Sequence, residues 1–185
     1  MSESVTGVMG YQGGSDLHME CLARLGIRAK KIFKPQDFQD ISGLIMPGGE
    51  SSAQYLYCNN YGIKDSIIEF ANTGKTIFAT CAGAILLSRY SSSLVKGFDL
   101  LDLNVERNAY GRQIESGIKK SDKGNDVLFI RAPVFTDIGS KIEVLDSYQQ
   151  QAILVRQENI WAATYHPECL DLGRKNIIFK IFGDI

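Results

Sequence analysis

Short apolar runs alternating with amphipathic stretches set the texture of the first half of the chain. Val5 to Tyr11 and Ile41 to Met46 are short apolar runs closed by turn residues that predict strands, Thr76 to Phe78 predicts a buried strand, and the more polar Ile27 to Phe33 predicts a strand with a weaker pattern. Between them the spacing turns helical. Ser15 or Asp16 can cap a helix running to about Leu25, with Leu17, Leu22 and Leu25 on its apolar side and Gly26 as its stop. Two more helices are predicted at about Ala53 to Tyr61 and Lys64 to Asn72, and an apolar one starts over Ala82 to Leu87. Strands alternating with helices in this way predict a parallel sheet covered on both faces.

Beyond about Leu94 the pattern shifts. Asp102 to Asn108, Arg112 to Lys119, Val127 to Ala132, Lys141 to Tyr148, Ala152 to Gln157 and Ile160 to Tyr165 all read as strands. Turn pairs such as Gly124-Asn125 and Glu158-Asn159 make hairpins the economical connection. A last helix is predicted over about Leu172 to Phe182, burying Ile177, Ile178, Ile181 and Phe182. No repeat, low-complexity run or linker divides the chain, so residues 1–185 read as a single domain. The expected architecture is an α/β, flavodoxin-like or Rossmann-like three-layer sandwich. Its central sheet is mainly parallel, with an antiparallel extension in the C-terminal half.

Composition removes several function classes. A chain of 185 residues, 44% hydrophobic and 22% charged, is long enough for a substantial core. A net charge of −1 with scattered Lys and Arg gives no nucleic-acid footprint. No apolar run approaches the length of a membrane span, and the polar start Met1-Ser2-Glu3-Ser4 is unlike an export signal. Cys21, Cys58, Cys81 and Cys169 lie far apart, with no C-x-x-C pair and no histidine at ligand spacing. The expectation is reduced thiols in a cytoplasmic protein, with no metal and no cofactor.

Candidate chemistry centres on Cys81. It stands between the predicted strand from Thr76 and the apolar run from Ala82, flanked by Ala79, Ala82 and Gly83. Small neighbours at a strand-to-helix turn are what a nucleophile elbow requires, and helix N–H groups there favour a thiolate and an anion. Taken alone, a cysteine at a strand end is more readily a small buried hydrophobe. A nucleophilic thiol needs a base, and the chain has two histidines. His166 follows the Ile160 to Tyr165 run and so sits at a strand end, where ligands gather in doubly wound sheets. Pro167 keeps it extended, which lets Glu168 turn back to the imidazole. Without Cys81 the same three residues read as a strand-terminating turn. His18, the rival base, falls near the solvated start of the first helix and reads as a structural or interface residue. The loop Pro47-Gly48-Gly49-Glu50-Ser51-Ser52 closes another strand, and its amides can face an oxyanion.

Together these stretches resemble the class I, or triad, glutamine amidotransferases: Pro47-Gly48-Gly49-Glu50-Ser51, then Thr80-Cys81-Ala82-Gly83, then His166-Pro167-Glu168. Glu106-Arg107-Asn108-Ala109-Tyr110-Gly111-Arg112-Gln113, Phe129-Ile130-Arg131-Ala132-Pro133 and the early Gln12-Gly13 are similar to the glutaminase subunits of pyridoxal 5′-phosphate synthases. The resemblance implies that Cys81 attacks the side-chain amide of L-glutamine, with His166 as base and Glu168 orienting it. It implies an oxyanion hole from Gly48, Gly49 and Ala82, and glutamine binding by Gly49, Glu50, Ser51, Arg107, Ile130 and Arg131. It also implies a synthase partner that receives the ammonia, docked near Gln12 and Gly13. A glutaminase of another amidotransferase branch, or a non-catalytic glutamine-binding scaffold, are the alternatives. Ala79 stands where the family pattern has glycine.

Overall fold

The structure, a computed structural model, describes residues 4–11, 13–107 and 117–183. Its centre is a seven-stranded sheet in the order β2-β1-β3-β4-β11-β10-β9. The strands are β1 (Thr6–Met9), β2 (Ala29–Ile32), β3 (Gly43–Met46), β4 (Thr76–Thr80), β9 (Glu143–Tyr148), β10 (Gln151–Gln157) and β11 (Ile160–Ala163). Pairings from β2 through β11 are parallel, and β9 and β10 join as antiparallel strands at one edge. This is the predicted α/β layout with its antiparallel extension.

Alternation along the strands divides the core into two clusters. Met9, Leu44, Met46 and Ile77 face one side, packed with residues of α2 (Ser51–Asn60), α3 (Ile63–Asn72) and α4 (Ala82–Leu87). Val8, Ile45 and Phe78 face the other, packed against α1 (Ser15–Arg24) and α5 (Ile177–Phe182). A parallel sheet covered on both faces needs strands apolar at successive positions, and β1, β3 and β4 have them. Two small sheets complete the C-terminal half: β5 (Asn104–Glu106) with β8 (Val134–Thr136), and β6 (Gly117–Lys120) with β7 (Asp126–Phe129). No helix of the described residues is long and apolar enough to cross a membrane.

Three local expectations need correction. Helix α1 starts at Ser15 itself, with Gly14 at the N-cap and no side-chain cap. Its buried face is Ser15, His18, Cys21 and Leu22, while Leu17 is 45% exposed. The helix predicted from Leu172 begins only at Ile177. Asn176 is extended there because its amide works elsewhere: Oδ1 accepts from the Ile178 N–H at 2.9 Å and Nδ2 donates to the Pro167 carbonyl at 2.8 Å. Strand β8 was not predicted, since three residues after Pro133 carry too little periodicity to read. The predicted strand Arg112 to Lys119 falls mostly outside the described residues, which include only its end within β6.

The turn from β4 into α4 is set by close backbone packing. Cys81 holds φ 48° and ψ −106°, a conformation non-glycine residues rarely adopt and one kept only where the surroundings enforce it. Gly83 lets α4 lie directly on the end of β3, since a Cβ there would meet the Met46 carbonyl oxygen at 2.2 Å. Gly83→Ala is therefore expected to cost about 1–3 kcal/mol of stability by overpacking. A urea titration would register this as a lower midpoint at unchanged slope; an unshifted midpoint would mean that α4 can retreat freely.

Candidate active site

Strands β4 and β11 are neighbours in parallel register, Thr80 opposite Ala163. Their carboxyl ends coincide, and the residues that follow leave the sheet on the same edge. The Cys81 N–H donates to the Ala163 carbonyl at 2.9 Å, and the His166 N–H to the Leu128 carbonyl at 2.9 Å. The Cys81 side chain and the His166 ring both stand against Gly48, and the thiol is near enough to raise the pKa of the imidazole. On the other side of the imidazole, Nδ1 lies 2.7 Å from Glu168 Oε1. With Nδ1 committed to the carboxylate, Nε2 is the nitrogen left for the sulfur.

Glu168 does not return along an extended segment as the sequence suggests. Pro167–Cys169 form a 3-10 turn, which folds the carboxylate back under the ring. The turn is held from outside. Asn176 donates to the Pro167 and Leu170 carbonyls, and Arg24 donates to the Glu168 carbonyl at 3.3 Å. Gly48 allows the approach from above: a Cβ there would meet His166 Cε1 at 2.6 Å and Cys81 Cβ at 3.2 Å.

Burial and charge act against each other here. Burial pulls the His166 pKa down, but hydrogen bonds to Cys81 and Glu168, and their charges, raise it from 6.5 to about 10. Burial pushes Glu168 up, and the neighbouring His18 and His166 hold it below the ordinary glutamate value. The imidazole is thus cationic at neutral pH and its carboxylate partner ionised.

A cavity of about 420 Å³ opens over these residues. Of the predicted site residues, Gly13, Gly48, Gly49, Glu50 and Cys81 line it. Arg107, Ile130, Arg131, His166 and Glu168 complete that set. Ser51 is not among the lining residues: it begins α2 with its hydroxyl buried. Ala82 lies just behind Cys81 as the first residue of α4, also off the lining. Gln12 lies outside the described residues, as do Asn108 to Gln113 of the signature stretch.

The glycine loop differs from expectation in one respect. The Gly48 N–H donates to Thr80 Oγ1 at 3.0 Å, so it is not a free oxyanion donor. The Gly48 carbonyl accepts from the Gly14 N–H at 3.0 Å and from Gln54 Nε2 at 3.2 Å. The amides of Gly49 and Ala82 carry no hydrogen bond to another described residue. At the rim, Arg107 Nη2 stands 3.5 Å from Glu50 Oε1, a half-exposed pair of small energetic value. Glu50 also caps α2, and its acceptance of hydrogen bonds from Ser52 and the Ala53 N–H lowers its pKa.

His18 is not solvated. It is fully buried, with Nε2 at 3.2 Å from Thr80 Oγ1 and 3.5 Å from Glu168 Oε2. Thr80, named above only as the neighbour of Cys81, is a site residue in its own right, and Gln54, Arg24 and Asn176 are further neighbours that the sequence does not single out. Only Asn176 left a signal, an asparagine just ahead of an apolar helical run. Among the described residues no group of three or more His, Cys, Asp or Glu could hold a metal ion.

The comparisons with known proteins agree with this geometry. The model of the SNO glutamine amidotransferase family matches residues 8–182. The chain is 40% identical to the pyridoxal 5′-phosphate synthase subunit PdxT of Francisella tularensis subsp. tularensis strain WY96-3418, over 88% of this chain and 89% of that one. The same identity and coverage hold for PdxT of subsp. novicida strain U112. Among solved structures, a glutamine amidotransferase superposes with a TM-score of 0.88 at 36% identity, covering 97% of this chain and all of that one. PurLQS from Thermotoga maritima, with a TM-score of 0.70 at 17% identity and 98% of each chain covered, shares the fold. A buried Cys-His-Glu line at the carboxyl edge of this sheet, and relatives matched over most of their length, place the chain in the SNO glutamine amidotransferase family.

Proposed function

We propose that this chain hydrolyses L-glutamine to L-glutamate and ammonia through a thioester on Cys81, and passes the ammonia to a pyridoxal 5′-phosphate synthase subunit. The observation that carries the reading is the gathering of Cys81, His166 and Glu168 at the floor of one cavity, with His166 bonded to Glu168 and its pKa raised by the nearby thiol. The relatives named as subunits of that synthase support the partner. In this reading residues 1–185 act as one glutaminase domain in the cytoplasm, with neither cofactor nor metal among its own groups.

In the resting pair the thiol proton already resides on His166, giving a thiolate beside an imidazolium. The sulfur attacks the side-chain carbonyl carbon of glutamine, and charge collects on oxygen. Amides preorganised at that oxygen supply the main electrostatic help, and Gly49 and Ala82 are the candidates at this turn. The imidazolium then protonates the departing nitrogen, and ammonia leaves behind a γ-glutamyl thioester. Neutral His166 next draws a proton from water, hydroxide attacks the thioester, and glutamate departs as the thiol is restored. Glu168 holds the ring's tautomer and orientation throughout. Arg107 and Arg131 offer the α-carboxylate of free glutamine a guanidinium each, and Glu50 offers its α-ammonium a carboxylate.

Replacing Cys81 with alanine should lower glutamate production by on the order of 10⁴-fold or more, even with the synthase subunit present. Ammonia release assayed with and without that subunit tests both halves of the proposal. Turnover retained by the variant would eliminate the thioester route, and full activity of the isolated chain would remove the partner dependence. Arg107→Ala and Arg131→Ala should each raise KM for glutamine about tenfold or more, the scale of a lost charged hydrogen bond, with kcat less affected.

The His166 shift gives a pH signature. Between the ordinary 6.5 and about 10 the folded protein holds a proton that the unfolded chain releases. That contribution to stability is complete below about 6.5 and is lost as pH rises through about 10. Urea midpoints across this window should therefore fall more steeply for the wild type than for His166→Gln. Parallel curves would rule out the buried ion pair.

A further inference from the structure

Two oxygens close to His18 Nε2 belong to different parts of the site. Thr80 Oγ1 lies 3.2 Å away, and the same oxygen accepts the Gly48 N–H at 3.0 Å. Glu168 Oε2 lies 3.5 Å away, and it has no hydrogen-bond partner although it is buried. Glu168 Oε1 is the oxygen that holds His166. Among the described basic side chains, His18 alone has a nitrogen within 4.0 Å of that second carboxylate oxygen.

The ring proton of His18 can be placed from its other nitrogen. Nδ1 is buried with no hydrogen-bond partner. An orphaned N–H inside a protein is rarer and costlier than an orphaned lone pair, so the proton belongs on Nε2. Burial lowers the His18 pKa, against the pull of Glu168 and with the repulsion of His166, which leaves a neutral ring. A neutral imidazole with Nε2–H between a hydroxyl and a carboxylate is a dipole that fixes both without adding a charge.

We propose that His18 is a positioning residue: its Nε2–H sets the plane of the Glu168 carboxylate and, through Thr80, ties that carboxylate to the Gly48–Gly49 loop. This rests on Cys81, His166 and Glu168 being the reacting line described above. A carboxylate gripped through one oxygen can rotate about its terminal torsion, which is broad; contact at the second oxygen removes that freedom. The scaffold is suited to the task. Helix α1 reaches the site at its start, where the Gly14 N–H holds the Gly48 carbonyl, and at its end, where Arg24 holds the Glu168 carbonyl. His18 lies between those two anchors, so its position is set from both sides.

The test compares His18→Leu, which fills the space without a donor, with His18→Gln, which returns an N–H near the Nε2 position. Both are assayed in complex with the synthase subunit at saturation, alongside Cys81→Ala. His18→Leu should lower kcat on the order of 10- to 100-fold, the effect of an ångström-scale misplacement. KM should stay within about twofold, and His18→Gln should restore kcat to within about threefold of the wild type. The rate of Cys81 alkylation by iodoacetamide should fall and recover in the same order. Unchanged kcat in His18→Leu, or equal loss in both variants, overturns the assignment while an inactive Cys81→Ala leaves the triad intact. An active Cys81→Ala overturns both readings together. Should His18→Leu fail to fold, Thr80→Val cuts the same link from its other end: a lower kcat at constant KM upholds the proposal, and wild-type kcat refutes it.

Discussion

Parallel pairing of β4 with β11 is the constraint from which the site follows. Hydrogen-bonded strands lie about 4.8 Å apart, and with Thr80 opposite Ala163 the segments that leave them begin side by side. Cys81 and His166 come from distant parts of the chain, and no local interaction would bring them together. The ladder does so as a consequence of burying Ile77 and Phe78 on opposite faces. A slip by one residue would exchange those faces and expose both clusters, so apolar burial that stabilises the sheet also fixes the catalytic register.

Around that register lies a buried polar network, and the arrangement is demanding. His18, Thr80, Glu168 and Asn176 are all at or below 1% exposure. Polar groups withdrawn from water at this depth are costly unless each finds a partner, and in low dielectric those partners bind more strongly than they would at the surface. Asn176 shows how the cost is offset: one side chain caps α5 and also holds the turn carrying Glu168. The fold's last helix and the proposed triad thus share an anchor. The strained backbone at Cys81 belongs to the same balance, since φ 48° persists only because the Gly83 contact and the strand pairing leave it no relaxed alternative.

Floor and rim of the cavity differ in kind. The floor is close-packed, with Gly48 so near His166 that no side chain fits between them. The rim is half-exposed: Arg107 and Glu50 pair at 3.5 Å, where water screens them and the pair contributes little. Charges held that loosely are free to exchange one another for the charges of an amino acid. A rigid floor for chemistry and an exchangeable rim for binding suit an enzyme whose substrate is a small zwitterion.

Much of this was legible in the one-dimensional pattern. The alternation of apolar runs with helical spacing marked β1, β3, β4 and the helices between them, because burial on both sheet faces forces uninterrupted apolar strands. Cys81 among small residues and His166-Pro167-Glu168 after an apolar run pointed to the chemistry, because a sharp turn excludes bulk and proline excludes a helix. Tertiary structure alone decided the rest. His18 looked solvated at a helix start, yet α1 turns that face inward onto Thr80 and Glu168. Gly48 looked like an oxyanion donor, yet its N–H is held by a threonine at the end of the next strand. The helix expected from Leu172 waits until Ile177 because Asn176 bonds to the Pro167 and Leu170 carbonyls. In each case periodicity reports which residues want burial, whereas the partner of a buried polar atom is a neighbour in space, and only folding supplies it.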